Sequence, residues 1–304
     1  MAISRSQLVK ELEPGLNALF GLEYKRYENQ HAEIYTNENS DRAFEEEVML
    51  SGFGNAQVKG EGAGVSFDDA QETYTARYTH ETVALAFAIT EEAIEDNLYD
   101  RLSARYTKAL ARSMSNAKQV KAIEPLINGL PSTATFKSGD GVALFSTSHT
   151  TVSGPNVANT LATQADLNET SLEQSMIDIA KMTDERGLRI AARGLKMIIP
   201  SELQFTAERL MKSQGRTGTA DNDINAIVSM GMVPQGYRVN NYLTDSDAFY
   251  ILTDVPNGMK MFTRAPLTTA MEGDFDTGNV RYKARERYSF GVSDPRGIFA
   301  SPGA

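Results

Sequence analysis

Three histidines, His31, His80 and His149, carry the side chains best suited to metal binding or proton transfer, and no two of them stand three or four residues apart. A helical metal site needs that spacing to bring ligands onto one face, so each is read as structural. Ser148 adjoins His149, yet the Gly-x-Ser-x-Gly turn that presents a nucleophile between strand and helix is missing. Gly60, Gly62 and Gly64 form a fragment of a phosphate loop, but no helix start follows and no Gly-Lys-Ser/Thr occurs. Carboxylates pair at Asp68 with Asp69 and at Asp221 with Asp223. Acid–base work would need a cleft that drives their pKa values apart, and solvated turns are the simpler reading. One stretch remains, RYKARER at 281–287, where Arg281, Lys283, Arg285 and Arg287 alternate with other residues. Cations beside aromatic rings suit stacked nucleic acid, whereas strict alternation suits a strand with one charged face that meets acidic patches on a neighbour. The second is our reading, and no catalytic, cofactor-binding or metal-binding residue is expected.

Composition narrows the classes further. With 304 residues the chain can form one large domain or two modest ones, and 41% hydrophobic and 23% charged residues are ordinary for a globular protein. A net charge of −10 argues against a surface that grips nucleic acid by its phosphates, while leaving room for one that encloses it. The absence of cysteine removes disulfides, thiolate metal sites and cysteine nucleophiles, so stability must come from packing or assembly. The longest strongly apolar run, 82–90, is under half a membrane span, and residues 1–10 lack a signal-peptide core. These features read as a soluble product made in the cytoplasm.

The elements are organised around residues 90–124. Apolar side chains recur there at Ile94, Leu98, Leu102, Tyr106, Leu110, Met114, Ala117, Val120 and Ile123, the steps of one helical stripe. Thr90 is placed to cap the start, acids precede bases along the other face, and Pro125 is expected to stop the helix. Ahead of it, Leu8, Leu12, Leu16, Leu19 and Phe20 form an amphipathic segment interrupted near Pro14 and Gly15, read either as an arm docking on a neighbour or as a first core helix. Residues 44–89 read as a long β-excursion with a glycine-rich tip, its second half alternating through Val83, Leu85, Phe87 and Ile89. A two-stranded hairpin is marginal alone in water, so it must lie on something: another subunit, or its own core. After Pro125 comes a turn-rich passage to about residue 163. A helix with a capping box at 170–173 follows, then a buried strand at 195–199, Ser201 as a cap for a helix through Leu203, Ala207, Leu210 and Met211, a short helix at 223–230, and strands at 236–242 and 248–254.

Taken together, this ordered set resembles the tailed-bacteriophage major capsid proteins of the Hong Kong 97 type, especially the group that includes the major head subunit of Mu-like phages. FEEEVMLSGFGNAQVKGEGAGVSFDD and YTARYTHETVALAFAITEEAIEDNLYD resemble that family's extended loop running into its spine helix. GDGVALFSTSHTTVSGPNVAN, LKMIIPSELQFTAERLM, DAFYILTDVPNGMKMFTRAPLTT and VRYKARERYSFGVSDPRGIFA resemble the segments that follow. The resemblance implies an α+β fold with an N-terminal arm (1–35), an extended β-hairpin loop (36–89), a peripheral domain with its spine helix at 90–124 (90–184), an axial domain (185–265) and a return to the peripheral domain (266–304). It implies a non-enzymatic subunit that assembles with itself as pentamers and hexamers into an icosahedral head in the virion. That head would enclose double-stranded DNA without sequence-specific binding, assisted by a separate scaffolding protein, a portal and decoration proteins, with no cofactor and no membrane. Lys59, Gly60, Glu61 and Gly62 at the loop tip, with Arg281, Lys283, Arg285 and Arg287, are the inter-subunit contact candidates. One branch of the family cross-links subunits through a loop lysine, and Lys59 is the lysine in that loop. A nanocompartment shell of the same fold, enclosing an enzyme, and a soluble α+β enzyme using carboxylates are the alternatives.

Overall fold

A computed structural model describes residues 5–90, 92, 99–215, 223–274 and 278–304. The chain opens with helix α1 (Arg5–Arg26), which continues through Pro14 where an interruption was expected. Its second half is held by packing, for Leu16 and Phe20 are buried against Leu110, Ala111 and Met114 of the long helix α2 (Tyr99–Asn128). That part of the segment is a core helix. The Asn17 side-chain oxygen accepts hydrogen bonds from Thr269 (2.7 Å) and Tyr282 (2.8 Å), which fixes α1 on the sheet below.

Helix α2 spans about 45 Å at 1.5 Å per residue. Residues 91 and 93–98, where its start was expected, lie outside the described residues. Its end differs from the reading: Pro125 sits inside the helix, which runs on to Asn128. A proline in the last turn forfeits one backbone bond, and the buried Leu126 and Leu130 continue the apolar stripe past it. The terminal carbonyls are then satisfied from outside, Asn128 by the Phe136 amide and Gly129 by the Phe145 amide, both at 2.9 Å.

Two four-stranded sheets flank the central core. In the first, β1 (Thr36–Asn39) pairs in parallel with β8 (Met259–Gly273), β8 pairs antiparallel with β9 (Val280–Val292), and β9 pairs antiparallel with β4 (Glu81–Ile89). In the second the order is β10 (Ile298–Ser301), β7 (Phe249–Thr253), β5 (Gly194–Ile199) and β6 (Tyr237–Val239). Between them pack Ile123 and Leu126 of α2, Phe145, Ile198, Tyr250, Met261, Tyr288 and Ile298. A separate core gathers α3 (Glu169–Lys181), α4 (Gln204–Lys212) and α5 (Ala226–Met230) on the second sheet, around Leu172, Met197, Leu210, Ile227 and Phe299.

Four details depart from the sequence reading. The excursion proper is the hairpin β2 (Phe44–Leu50) and β3 (Glu72–Thr79), because β4 leaves it to pair with β9 across the first sheet. The cap of α3 is Asn168, whose side chain accepts from the Ser171 amide at 2.8 Å while the Ser171 hydroxyl accepts from the Asn168 amide at 3.0 Å, a capping box two residues earlier than expected. Ser201 begins a 3-10 turn and bonds Glu202 instead of capping α4. Strand β10 lies on β7 in the second sheet, so the end of the chain does not return wholly to the first sheet.

Candidate assembly surfaces

The hairpin stands out from the body yet is braced at three heights. At its root, Lys260 of β8 is buried and reaches Glu38 of β1 (3.1 Å) and Glu47 of β2. Burial alone would lower the Lys260 pKa, but the bonds to these two carboxylates outweigh it and raise it. The second oxygen of Glu47 accepts from Ser293, which also meets the hydroxyl of Tyr78 on β3. His80, the single residue between β3 and β4, bridges Ser40 (3.0 Å) and Ser289 (2.9 Å), and Ser40 donates to Glu45 at 2.7 Å. Burial, then the nearby Arg287, depresses the His80 pKa, so its neutral ring ties the link between β1 and β2 to β9.

Midway, the ring of Tyr74 lies on Gly139, where a Cβ would come within 2.4 Å of the ring. Above that level the ladder ends with Ser51 and Gln71, joined by the Ser51 amide to the Gln71 carbonyl at 2.8 Å. Asp68 then accepts from the Gly54 amide (2.7 Å) and from the guanidinium of Arg186 (2.7 Å), a residue that follows α3. The Gly54 bond, the largest effect, joined by Arg186 and the Asp69 amide, outweighs the opposing desolvation and holds the Asp68 carboxyl below the usual range.

Beyond this neck the tip is open. Lys59, Gly60, Glu61 and Gly62 are all exposed, in a turn closed by the Ala63 amide on the Gly60 carbonyl at 3.1 Å, with Gly62 at φ +77°. Around them stand Phe53, Val58, Val65 and Phe67, the last 96% exposed. Residues 36–80 hold nine acidic side chains (Glu38, Asp41, Glu45, Glu46, Glu47, Glu61, Asp68, Asp69 and Glu72) against three basic ones (Arg42, Lys59 and Arg77), a net of −6. An apolar, acidic excursion of this kind has too much unsatisfied surface to serve a free monomer.

The second surface is the outer face of β9. Tyr282, Ala284, Glu286 and Tyr288 point inward and are buried, so Arg281, Lys283 and Arg285 are exposed on the other side with Arg287 half-buried. Their cross-strand neighbours on β4 are small, Ala88, Ala86, Ala84 and Thr82, and on β8 Ala270 stands beside Lys283 and Thr268 beside Arg285, while Glu272 stands beside Arg281. Arg281 pairs with Asp274, and Arg287 donates to the Ala43 carbonyl at 3.5 Å. Among the described residues Lys283 and Arg285 make no ion pair. The structure therefore gathers the four cations in one stripe and the four tip residues in one turn, and no ion pair joins the two groups within the chain. Sequence reasoning missed Arg186 and Lys260; of their acidic partners only Asp68 was singled out, as part of a solvated turn.

Among the described residues no cluster of histidine and carboxylate groups could hold a metal ion, and no helix is long and apolar enough to cross a membrane. A long helix and two sheets share a core, with an exposed hairpin and a basic stripe on the surface. The family model for phage capsid proteins matches residues 72–301, and the chain belongs to that family. Solved structures agree on the fold. The capsid of Myoviridae phage XM1 is 12% identical with a TM-score of 0.54, covering 89% of each chain. A structure from Mycobacterium phage Che8 is 15% identical with a TM-score of 0.52, covering 91% of this chain and 93% of that one. The virus-like particle from Pyrococcus furiosus is 10% identical with a TM-score of 0.52, covering 94% and 97%. No curated protein sequence matches the chain. It is a major capsid protein of the Hong Kong 97 fold, a non-enzymatic subunit of the icosahedral head of a phage virion.

Proposed function

We infer that the hairpin of each subunit lies across the first sheet of a neighbour and sets its acidic, apolar surface against Lys283 and Arg285. The observation that carries this reading is the complementarity of two surfaces that stay apart within one chain: a hairpin over 44–79 with seven acidic side chains against two basic ones, a net of −5, bearing exposed Phe53 and Phe67, and a cationic stripe whose Lys283 and Arg285 stand beside alanines. Overlap of this kind, repeated around pentamers and hexamers, links subunits into a closed shell around double-stranded DNA. A net charge of −10 lets such a shell confine DNA without gripping it. In this reading the domains run as an N-terminal arm within 1–35, an extended loop within 36–89 whose projecting part is the hairpin at 44–79, a peripheral domain of 90–184 and 266–304 that also takes in β4 but gives β10 to the second sheet, and an axial domain at 185–265. The segment likenesses favour the Mu-like head-subunit group, with a separate scaffolding protein, a portal and decoration proteins as partners. Lys59 at the tip is the donor that covalent cross-linking would use. Shells boiled in detergent that run only as monomers would exclude that bond.

Deleting residues 52–69 tests the role of the hairpin. We expect a folded protomer that forms no closed shells in sedimentation and electron microscopy, and normal shells from the deletion would refute the overlap. A nanocompartment is the second reading, favoured by the fold likeness to the Pyrococcus furiosus particle. Packaged DNA or co-purified protein cargo separates the two.

A further inference from the structure

The neck of the hairpin is held by a contact that crosses 118 positions of sequence. Asp68 receives the Gly54 amide on one oxygen and the Arg186 guanidinium on the other, and its own neighbour Asp69 donates a backbone bond at 3.0 Å. Arg186 is not a loose surface cation, for its side chain is only 18% exposed. Its backbone is fixed on both sides. The Asp184 carboxylate accepts from the amides of Arg186 (2.9 Å) and Leu188 (2.7 Å), and the Glu185 carbonyl accepts from those of Ser153 (3.2 Å) and Gly154 (3.3 Å). Gly187, at φ +85°, packs so tightly on Gly154 that a Cβ on Gly154 would come within 2.6 Å of the Gly187 nitrogen. The Glu185 side chain is buried on Arg296, which anchors the turn to the body. At Gly54 the missing side chain makes room, since a Cβ there would lie 3.2 Å from the Asp68 carboxylate and 3.6 Å from the guanidinium.

A rigid turn thus presents one guanidinium to the place where the ladder of β2 and β3 gives out and the irregular tip begins. The clasp does not hide the tip, because Val58 beyond it is fully exposed. A mask is therefore the wrong description. We propose that Arg186 is a positioning residue that clasps Asp68 to set the angle at which the hairpin leaves its subunit, so that the tip meets a neighbour already aimed. This rests on the reading that the hairpin engages a neighbour. The physical gain is entropic: a loop held near its bound direction gives up less freedom on docking than one that sweeps a cone.

The aim is measured on unassembled full-length subunits, independently of whether the hairpin engages anything. Because the chain has no cysteine, Val58→Cys and Ala180→Cys place two nitroxide labels without further changes. Pulsed electron resonance then gives the distribution of distances between the tip and α3. One narrow distribution is expected for the otherwise native chain. Arg186→Gln or Asp68→Asn should broaden it about twofold. Asp68→Asn alters only the exposed hairpin, so a folding defect at Arg186 cannot mimic the result. An unchanged width in both single variants overturns the clasp. Broadening with undiminished shell yield overturns its role in aiming. Loss of the overlap itself is read separately from the 52–69 deletion.

Discussion

Burial, then the nearby Lys118 ammonium, holds the His31 pKa down at about 4 against an ordinary 6.5, with the contact to Gln119 acting in the opposite sense. Its Nδ1 is buried without a hydrogen-bond partner, and its ring meets Phe290 edge-on. The unfolded chain binds this proton more readily, so the stability contribution is complete above pH 6.5 and is lost as pH falls towards 4. The loss at the lower end is about 3 kcal/mol. Chemical denaturation of unassembled subunits between these values should show that slope, and His31→Asn should flatten it. An equal slope in the variant would assign acid sensitivity elsewhere. Asp140 acts below that window: burial would raise its pKa, but hydrogen bonds with His149 (2.7 Å) and Ser138 bring it below the ordinary 3.8, so its contribution is complete above pH 3.8 and is lost only as pH falls further.

At the scale of elements, the joint between α2 and the first sheet rests on one buried ion pair. Lys118 meets Glu286 at 3.2 Å and lies 5.1 Å from the centre of the Tyr288 ring, with the Glu286 side chain 3% exposed. Burial raises the Glu286 pKa even with Lys118 beside it, so removal of the lysine leaves an uncompensated carboxylate in the core. Lys118→Met should cost about 3–5 kcal/mol in thermal or chemical unfolding, and adding Glu286→Gln should recover most of it. The helix stripe that positions this pair was legible in the sequence, as was the alternation of β9, because both follow from periodicity. The end of α2 was misread since local proline sterics were set against tertiary packing, and buried Leu126 and Leu130 prevail there. The partner of β4 was not legible, for alternation fixes which face of a strand is buried but not which distant strand lies beside it. Arg186 and Lys260 stayed hidden for the same reason, their carboxylate partners lying 118 and more than 200 positions away.

For the whole molecule, assembly is expected to depend on surfaces that contribute little to the stability of one subunit. Reversing the stripe with Lys283→Glu and Arg285→Glu changes two exposed side chains on a face of alanines, so the protomer should keep its unfolding free energy to within about 1 kcal/mol. Shell formation should nevertheless fail, and raising the salt concentration should weaken the native contact. Shells formed at native yield by the reversed variant would remove the stripe from the interface.

The central claim is most directly tested by an electron cryomicroscopy map of the assembled shell at side-chain detail. The account places each hairpin over the first sheet of the adjacent subunit, with hairpin carboxylates within ion-pair distance of Lys283 and Arg285. A map in which the hairpin lies on its own subunit, or in which the β9 stripe faces open solvent, would contradict it.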